Sequence, residues 1–137
     1  MQKRKIRLGV NIDHIATLRN VRRGDFPDLI RAVKILKSCR VDSITVHLRE
    51  DRRHIKDDDI KILNKEKILP INLEMAATKE MQRICLETNP FACCIVPERR
   101  EELTTEGGLN VKSQMNHLKN ILEPILKKKT RISLFVD

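Results

Sequence analysis

Short β-branched runs alternate with helix-patterned stretches along the whole chain, and this alternation constrains the fold more than any other feature. Leu8 to Ile12 reads as a first strand. Pro27 to Arg40 reads as a helix, with proline near its first turn and Leu29, Ile30, Ala32, Val33, Ile35 and Leu36 along one side. Asp42 to Leu48 is a second strand. Asp57 to Glu66 is a helix that opens on acidic residues, as the helix dipole favours. Pro70 to Glu74 is a third strand. Thr78 to Thr88 is a helix with Thr78 as its N-cap. Phe91 to Val96 is a fourth strand, stopped by Pro97. A polar loop through Gly107-Gly108 leads to a helix from Val111 to Lys128, then to a fifth strand from Arg131 to Val136, and the sequence stops at Asp137. Strands that alternate with helices predict βαβ units and a parallel sheet within one domain. The strands read as near-continuous apolar runs, which predicts a sheet covered on both faces.

Polar residues gather after the strands. The first strand runs into Asn11, Asp13 and His14, and the second into His47, Arg49, Glu50 and Asp51. The third ends at Glu74, and the fourth at Pro97, Glu98, Arg99 and Arg100, with Thr104 and Thr105 soon after. Right-handed parallel connections bring all these ends to one side, the side on which α/β sheets and barrels hold their ligands. His47 has an obvious use there as a proton carrier near neutral pH. Partial burial of Glu74 would raise its pKa toward a general base's range. Bland readings stand beside these. Asn11 and Asp13 could cap a turn, and Glu74 could be a cap or an ion-pair partner. The run Arg49-Glu50-Asp51-Arg52-Arg53-His54, taken alone, reads as a solvated charged loop. His117, among polar neighbours in a helix, reads as surface.

Charge and composition narrow the partners. The net charge of +9 could suit nucleic acid, but Lys and Arg are spread along the chain, and with no Tyr or Trp and 3 Phe there is little to stack bases on. Phosphorylated small molecules held by arginine fit better. Neither a glycine-rich phosphate loop, nor a dinucleotide fingerprint, nor a zinc-ligand spacing is present, so the site is expected to work by acid–base chemistry without metal or cofactor. Cys39, Cys85, Cys93 and Cys94 lack C-x-x-C spacing and read as small buried hydrophobes in a reducing compartment. No apolar run reaches the ~20 residues of a membrane span, and the basic start runs into too short an apolar stretch for a signal peptide, so a cytoplasmic location is expected.

Longer motifs sharpen the picture. Gly9-Val10-Asn11-Ile12-Asp13-His14-Ile15-Ala16-Thr17-Leu18-Arg19-Asn20 resembles the opening of the pyridoxine 5′-phosphate synthase family. So do Ile44 to Ile55, Asn72-Leu73-Glu74-Met75-Ala76, Val96-Pro97-Glu98-Arg99-Arg100 with Thr104 to Leu109, and Ser133-Leu134-Phe135-Val136-Asp137. The resemblance covers nearly the whole chain. It implies a (β/α)₈ barrel, here incomplete with about five parallel strands, and a homo-oligomer. The implied reaction joins 1-deoxy-D-xylulose 5-phosphate to 3-amino-2-oxopropyl phosphate, giving pyridoxine 5′-phosphate, phosphate and water. Such chemistry needs acids and bases that change roles, and anchors that hold both substrates in register.

Carried onto this sequence, the resemblance makes His47 and Glu74 the proton acceptors. Asn11 and Arg22 would contact the aminooxopropyl phosphate, with Arg22 in a basic loop from Arg19 to Gly24. Asp13, His14, Arg49, His54 and Thr104 would contact the deoxyxylulose phosphate. The family's later strands supply a histidine proton donor, a transition-state-stabilising glutamate and glycine-rich phosphate loops, none of which falls within these residues. The chain is therefore expected to be a fragment, a half completed by another chain, or a remnant that only binds phosphorylated metabolites or a partner subunit.

Overall fold

A computed structural model describes residues 6–98 and 107–137. The elements run β1 (Gly9–Asn11), α1 (Asp13–Arg22), α2 (Leu29–Ser38), β2 (Ser43–His47), α3 (Asp57–Glu66), β3 (Ile71–Met75), α4 (Lys79–Thr88), β4 (Ala92–Ile95), α5 (Met115–Lys127) and β5 (Arg131–Leu134). The 5 strands form one sheet in the order β1-β2-β3-β4-β5, and every pairing is parallel. Sequential parallel strands with helical crossovers are the topology of part of a (β/α)₈ barrel. Among the described residues β1 and β5 each pair on one side only.

The helices form where the sequence places their signals. Asp28 caps α2 by accepting from the Arg31 amide. Thr78 caps α4, its hydroxyl accepting from the Met81 amide at 3.3 Å. Asp59 folds back to accept from the Lys56 amide at 2.9 Å, closing the start of α3. Pro124 sits inside α5 without ending it.

Sequence and structure part at α1. Residues 13–22 carry apolar Ile15, Leu18 and Val21 at a spacing of three, but Leu18 and Val21 are exposed, and only Asp13 and Ala16 are buried. Its first turn is held by Asn11, whose Oδ1 accepts from the Asp13 amide at 2.8 Å. The helix ends where Arg23 turns left-handed at φ 54°. Arg22 therefore closes a helix instead of lying in a basic loop.

The sheet faces also differ from the expectation. The rows Val10–Ile44–Ile71 and Val46–Leu73–Cys93–Ile132 run across the strands on one face. Ile44, Val46, Leu73 and Cys93 there are at most 1% exposed, in a core that includes Ala16, Val33, Met81, Cys85 and Ile125 from the helices. The opposite face is polar. Its rows are Asn11–Thr45–Asn72–Ala92–Arg131 and His47–Glu74–Cys94–Ser133. The strands thus alternate, and one face alone is covered by helices. A cavity of about 630 Å³ opens on the polar face, lined among others by Arg7, Ser43, Thr45, Asn72 and Arg131.

The cysteines divide accordingly. Cys85 and Cys93 are buried, Cys94 is half-buried on the polar face, and Cys39 is exposed at the end of α2, against the expectation of burial. All are free thiols. Among the described residues no helix is long and apolar enough to cross a membrane.

Candidate active site

The carboxyl ends of β1, β2 and β3 converge on one buried carboxylate. Asp13, the first residue of α1, is 7% exposed. Its Oδ1 accepts from the His47 amide at 2.8 Å, and its Oδ2 accepts from the Asn11 side chain at 2.8 Å. His54 Nδ1 lies 4.0 Å from the same Oδ1 and accepts from the Ile55 amide at 3.0 Å. The His47 and His54 rings sit with centroids 5.8 Å apart, tilted by 53°. The capping role weighed for Asn11 is real, and Asp13 has a structural role as well, because it ties β1, α1 and the end of β2 together.

Glu74 is the register partner of His47 on β3. Burial pushes its carboxyl above the usual range, and nearby His47 only partly opposes this. A carboxyl so raised titrates closer to neutrality, as a group that must both take and give protons requires. Burial likewise pushes the His54 imidazole down, with Asp13 opposing. Its neutral form is therefore favoured.

The charged run after β2 is only partly solvated: Glu50 and Asp51 are exposed, and Arg49 and His54 are buried. Arg49 is 3% exposed, with Nε 3.7 Å from Asp51 Oδ1. Arg52 is held by Asp57 at 2.9 Å and by Glu80 at 2.5 Å. Arg19 makes a two-pronged pair with Asp59, at 2.6 and 2.8 Å. Asn20 donates to the His54 carbonyl at 2.8 Å. Through these bonds α1 and α3 fix the loop that carries His54.

One residue that the sequence did not single out belongs with this cluster. Glu98, just past β4, places Oε1 2.8 Å from His47 Nε2 and accepts from the Glu50 amide at 3.0 Å. Burial alone would push its carboxyl up. The bonds from His47 and Glu50 outweigh that and hold it below the usual range. The signal for it is present in the sequence, as the first polar residue after the proline that stops the fourth strand.

Asn11, Asp13, His47, Arg49, His54 and Glu74 therefore share one end of the sheet. His14 is exposed on α1 and borders a groove with Ile15, Leu18, Phe26 and Pro27. Arg22 is exposed at the far end of α1, which at ~1.5 Å per residue lies roughly 13 Å along the axis from Asp13. Neither joins the cluster. Thr104, with Arg99, Arg100 and Thr105, lies outside the described residues. His117 is exposed, as expected, and its Nε2 lies 2.6 Å from the Ala77 carbonyl.

Asp13, His47 and His54 each offer a ligand atom within 4.8 Å of the others. Both Asp13 oxygens accept N–H groups, His54 Nδ1 accepts from an amide, and His47 Nε2 lies 2.8 Å from Glu98 Oε1.

A parallel sheet of this order is part of a (β/α)₈ barrel, and its buried acids and imidazoles lie at the carboxyl ends of the strands, the side on which such barrels hold ligands. The particular family follows from comparison. The chain belongs to the family described as pyridoxal phosphate biosynthesis protein PdxJ, which it matches over residues 8–137. It is 57% identical over 132 residues to a pyridoxine 5′-phosphate synthase of Thioalkalivibrio sulfidiphilus, covering 96% of this chain and 54% of that one. It is 57% identical to one from Bradyrhizobium, covering 96% of this chain and 52% of the relative. The synthase of Zymomonas mobilis is 54% identical over 134 residues, 98% of this chain and 52% of its own length. The chain thus spans about half the length of the curated relatives it matches.

Proposed function

We propose that this chain supplies the proton-accepting half of a pyridoxine 5′-phosphate synthase site. It would act on 1-deoxy-D-xylulose 5-phosphate and 3-amino-2-oxopropyl phosphate by acid–base catalysis. The observation that carries this reading is the pairing of His47 with Glu74 on adjacent strands, beside the buried Asp13–His54 pair, in a chain that belongs to the PdxJ family. In this reading His47 and Glu74 take protons from the condensing substrates. Asn11, Asp13, Arg49 and His54 hold the two substrates in register, with His14, Arg22 and Thr104 as further contacts. Arg49 is assigned to a phosphate because a guanidinium can grip one with two N–H groups at once.

A second reading has its own support. No helix covers the polar face of the sheet among the described residues, and β1 and β5 each keep an unpaired edge. Closed barrels have no such edges. In that reading the chain binds phosphorylated metabolites, or the polypeptide that closes its sheet, without completing turnover.

The test is pyridoxine 5′-phosphate formation from both substrates, by the chain alone and with the carboxyl-terminal half of a relative added in trans. Product that disappears in His47→Ala and Glu74→Gln supports the synthase reading. Saturable binding of 1-deoxy-D-xylulose 5-phosphate with no product under either condition supports the binding reading. If neither binding nor product is seen, both fall.

A further inference from the structure

Glu98 makes two bonds that reach across the sheet. One carboxylate oxygen lies 2.8 Å from His47 Nε2, and the other accepts from the Glu50 amide at 3.0 Å. The side chains of His47 and Glu98 are 7% and 6% exposed, so water is largely kept from this bond. From this geometry we infer that Glu98 is a positioning residue that fixes the His47 tautomer, making Nδ1 the atom that accepts protons. The inference rests on the reading of His47 as a base.

The reasoning is one of donor and acceptor inventory. An ionised carboxylate accepts and cannot donate. The bonds from His47 and Glu50 hold Glu98 in that ionised form. A neutral imidazole carries one N–H and one lone pair, and the partner of one nitrogen decides which is which. With Glu98 facing Nε2, the hydrogen stays on Nε2 and the lone pair belongs to Nδ1. When a substrate C–H or N–H gives its proton to Nδ1, the electron pair stays on the substrate. The resulting imidazolium keeps its Nε2–H on the Glu98 carboxylate, which stabilises the new charge. The Glu50 bond adds a second constraint, since it anchors the carboxylate to the loop after β2 and so holds the acceptor at the end of the strand that carries His47.

Other clusters carry less. The Asp13, His47 and His54 group belongs to the same site, and nothing in the structure shows what covers the apolar groove around Leu18 and Phe26.

The test is ring-nitrogen NMR of the ¹⁵N-labelled chain. It has 4 histidines, and the His47 signals are those lost in His47→Gln. At a pH where imidazoles are neutral, His47 is expected to show a protonated Nε2 and an unprotonated Nδ1. In Glu98→Gln the preference is expected to relax toward a mixture, because an amide can donate as well as accept. A wild-type His47 protonated on Nδ1 overturns the inference. So does an unchanged tautomer in a folded Glu98→Gln, which would leave Glu98 as a loop clamp only. If Glu98→Gln does not fold, the wild-type spectrum decides. None of these outcomes depends on turnover, so the synthase reading and this one fail separately.

Discussion

Replacing Asp13 with alanine separates a structural carboxylate from a merely nearby one. The side chain accepts two hydrogen bonds, from the His47 amide and the Asn11 side chain, both at 2.8 Å. The two losses are unequal. Asn11 is exposed, so its amide can turn to water at little cost. His47 is 5% exposed and its main-chain N–H has no such recourse. A buried donor left unsatisfied costs about 1–3 kcal/mol. The site should therefore lose about 2 kcal/mol, nearly all of it from the His47 amide. In urea, at a slope of roughly 1–3 kcal/mol per M, the midpoint should fall by about 1 M. Asp13→Asn keeps an oxygen for the His47 amide and should lose less than half as much. The Asn11→Ala, Asp13→Ala double variant should show only a small coupling energy. Equilibrium urea unfolding at pH 7 reads all three. A loss below about 0.5 kcal/mol in Asp13→Ala, or equal losses in the alanine and asparagine variants, would refute the reasoning.

Four other outcomes follow from the geometry. Asp59→Ala removes the partner of Arg19 and the bond to the Lys56 amide, with side chains only 14% and 11% exposed, and should cost about 3 kcal/mol in the same assay. The folded-state pKa of Glu74 is raised by burial, so the folded protein binds its proton more tightly than the unfolded chain, and stability falls as pH rises from the ordinary carboxylate pKa through the raised one. Glu74→Gln should then be at least as stable as wild type at pH 7, with a flatter decline above pH ~4.5, while losing any catalysis. Glu98 has the opposite sign: its pKa is lowered, its contribution is present above the unfolded value and disappears as pH falls through the folded one, and Glu98→Gln should flatten the acid limb of a melting-temperature profile. A thiol reagent should modify exposed Cys39 first and half-buried Cys94 more slowly, and reach Cys85 and Cys93 only on unfolding, as mass spectrometry of timed samples would show.

Strand-borne features were legible in the sequence, and those made by non-local contact were not. His47 and Glu74 were readable because each ends an apolar strand, and parallel crossovers bring such ends together. The first helix was missed because its opening residues are polar and take part in the site: Asp13 faces the His47 amide, and Asn11 replaces an ordinary cap. The burial of His54 could not be read from a run of charges, because its loop is tied down by Asn20 from a distant element, beside the Arg19–Asp59 pair. Glu98 contacts a histidine 51 residues away, a pairing that no local pattern encodes. The polar sheet face was hidden by small residues: Ser43, Thr45 and Asn72 interrupt the apolar runs too gently to suggest that one side of the sheet lacks a helical cover.

The pairing of His47 with Glu74 on neighbouring strands also has a bearing on how the molecule is made. Thr45 and Asn72, paired one step below them, are 27 residues apart, the span of a single strand–helix–strand loop. Closing so short a loop costs little chain entropy, and contacts of low sequence separation form early. A single strand–helix–strand unit thus suffices to set the two proposed bases side by side.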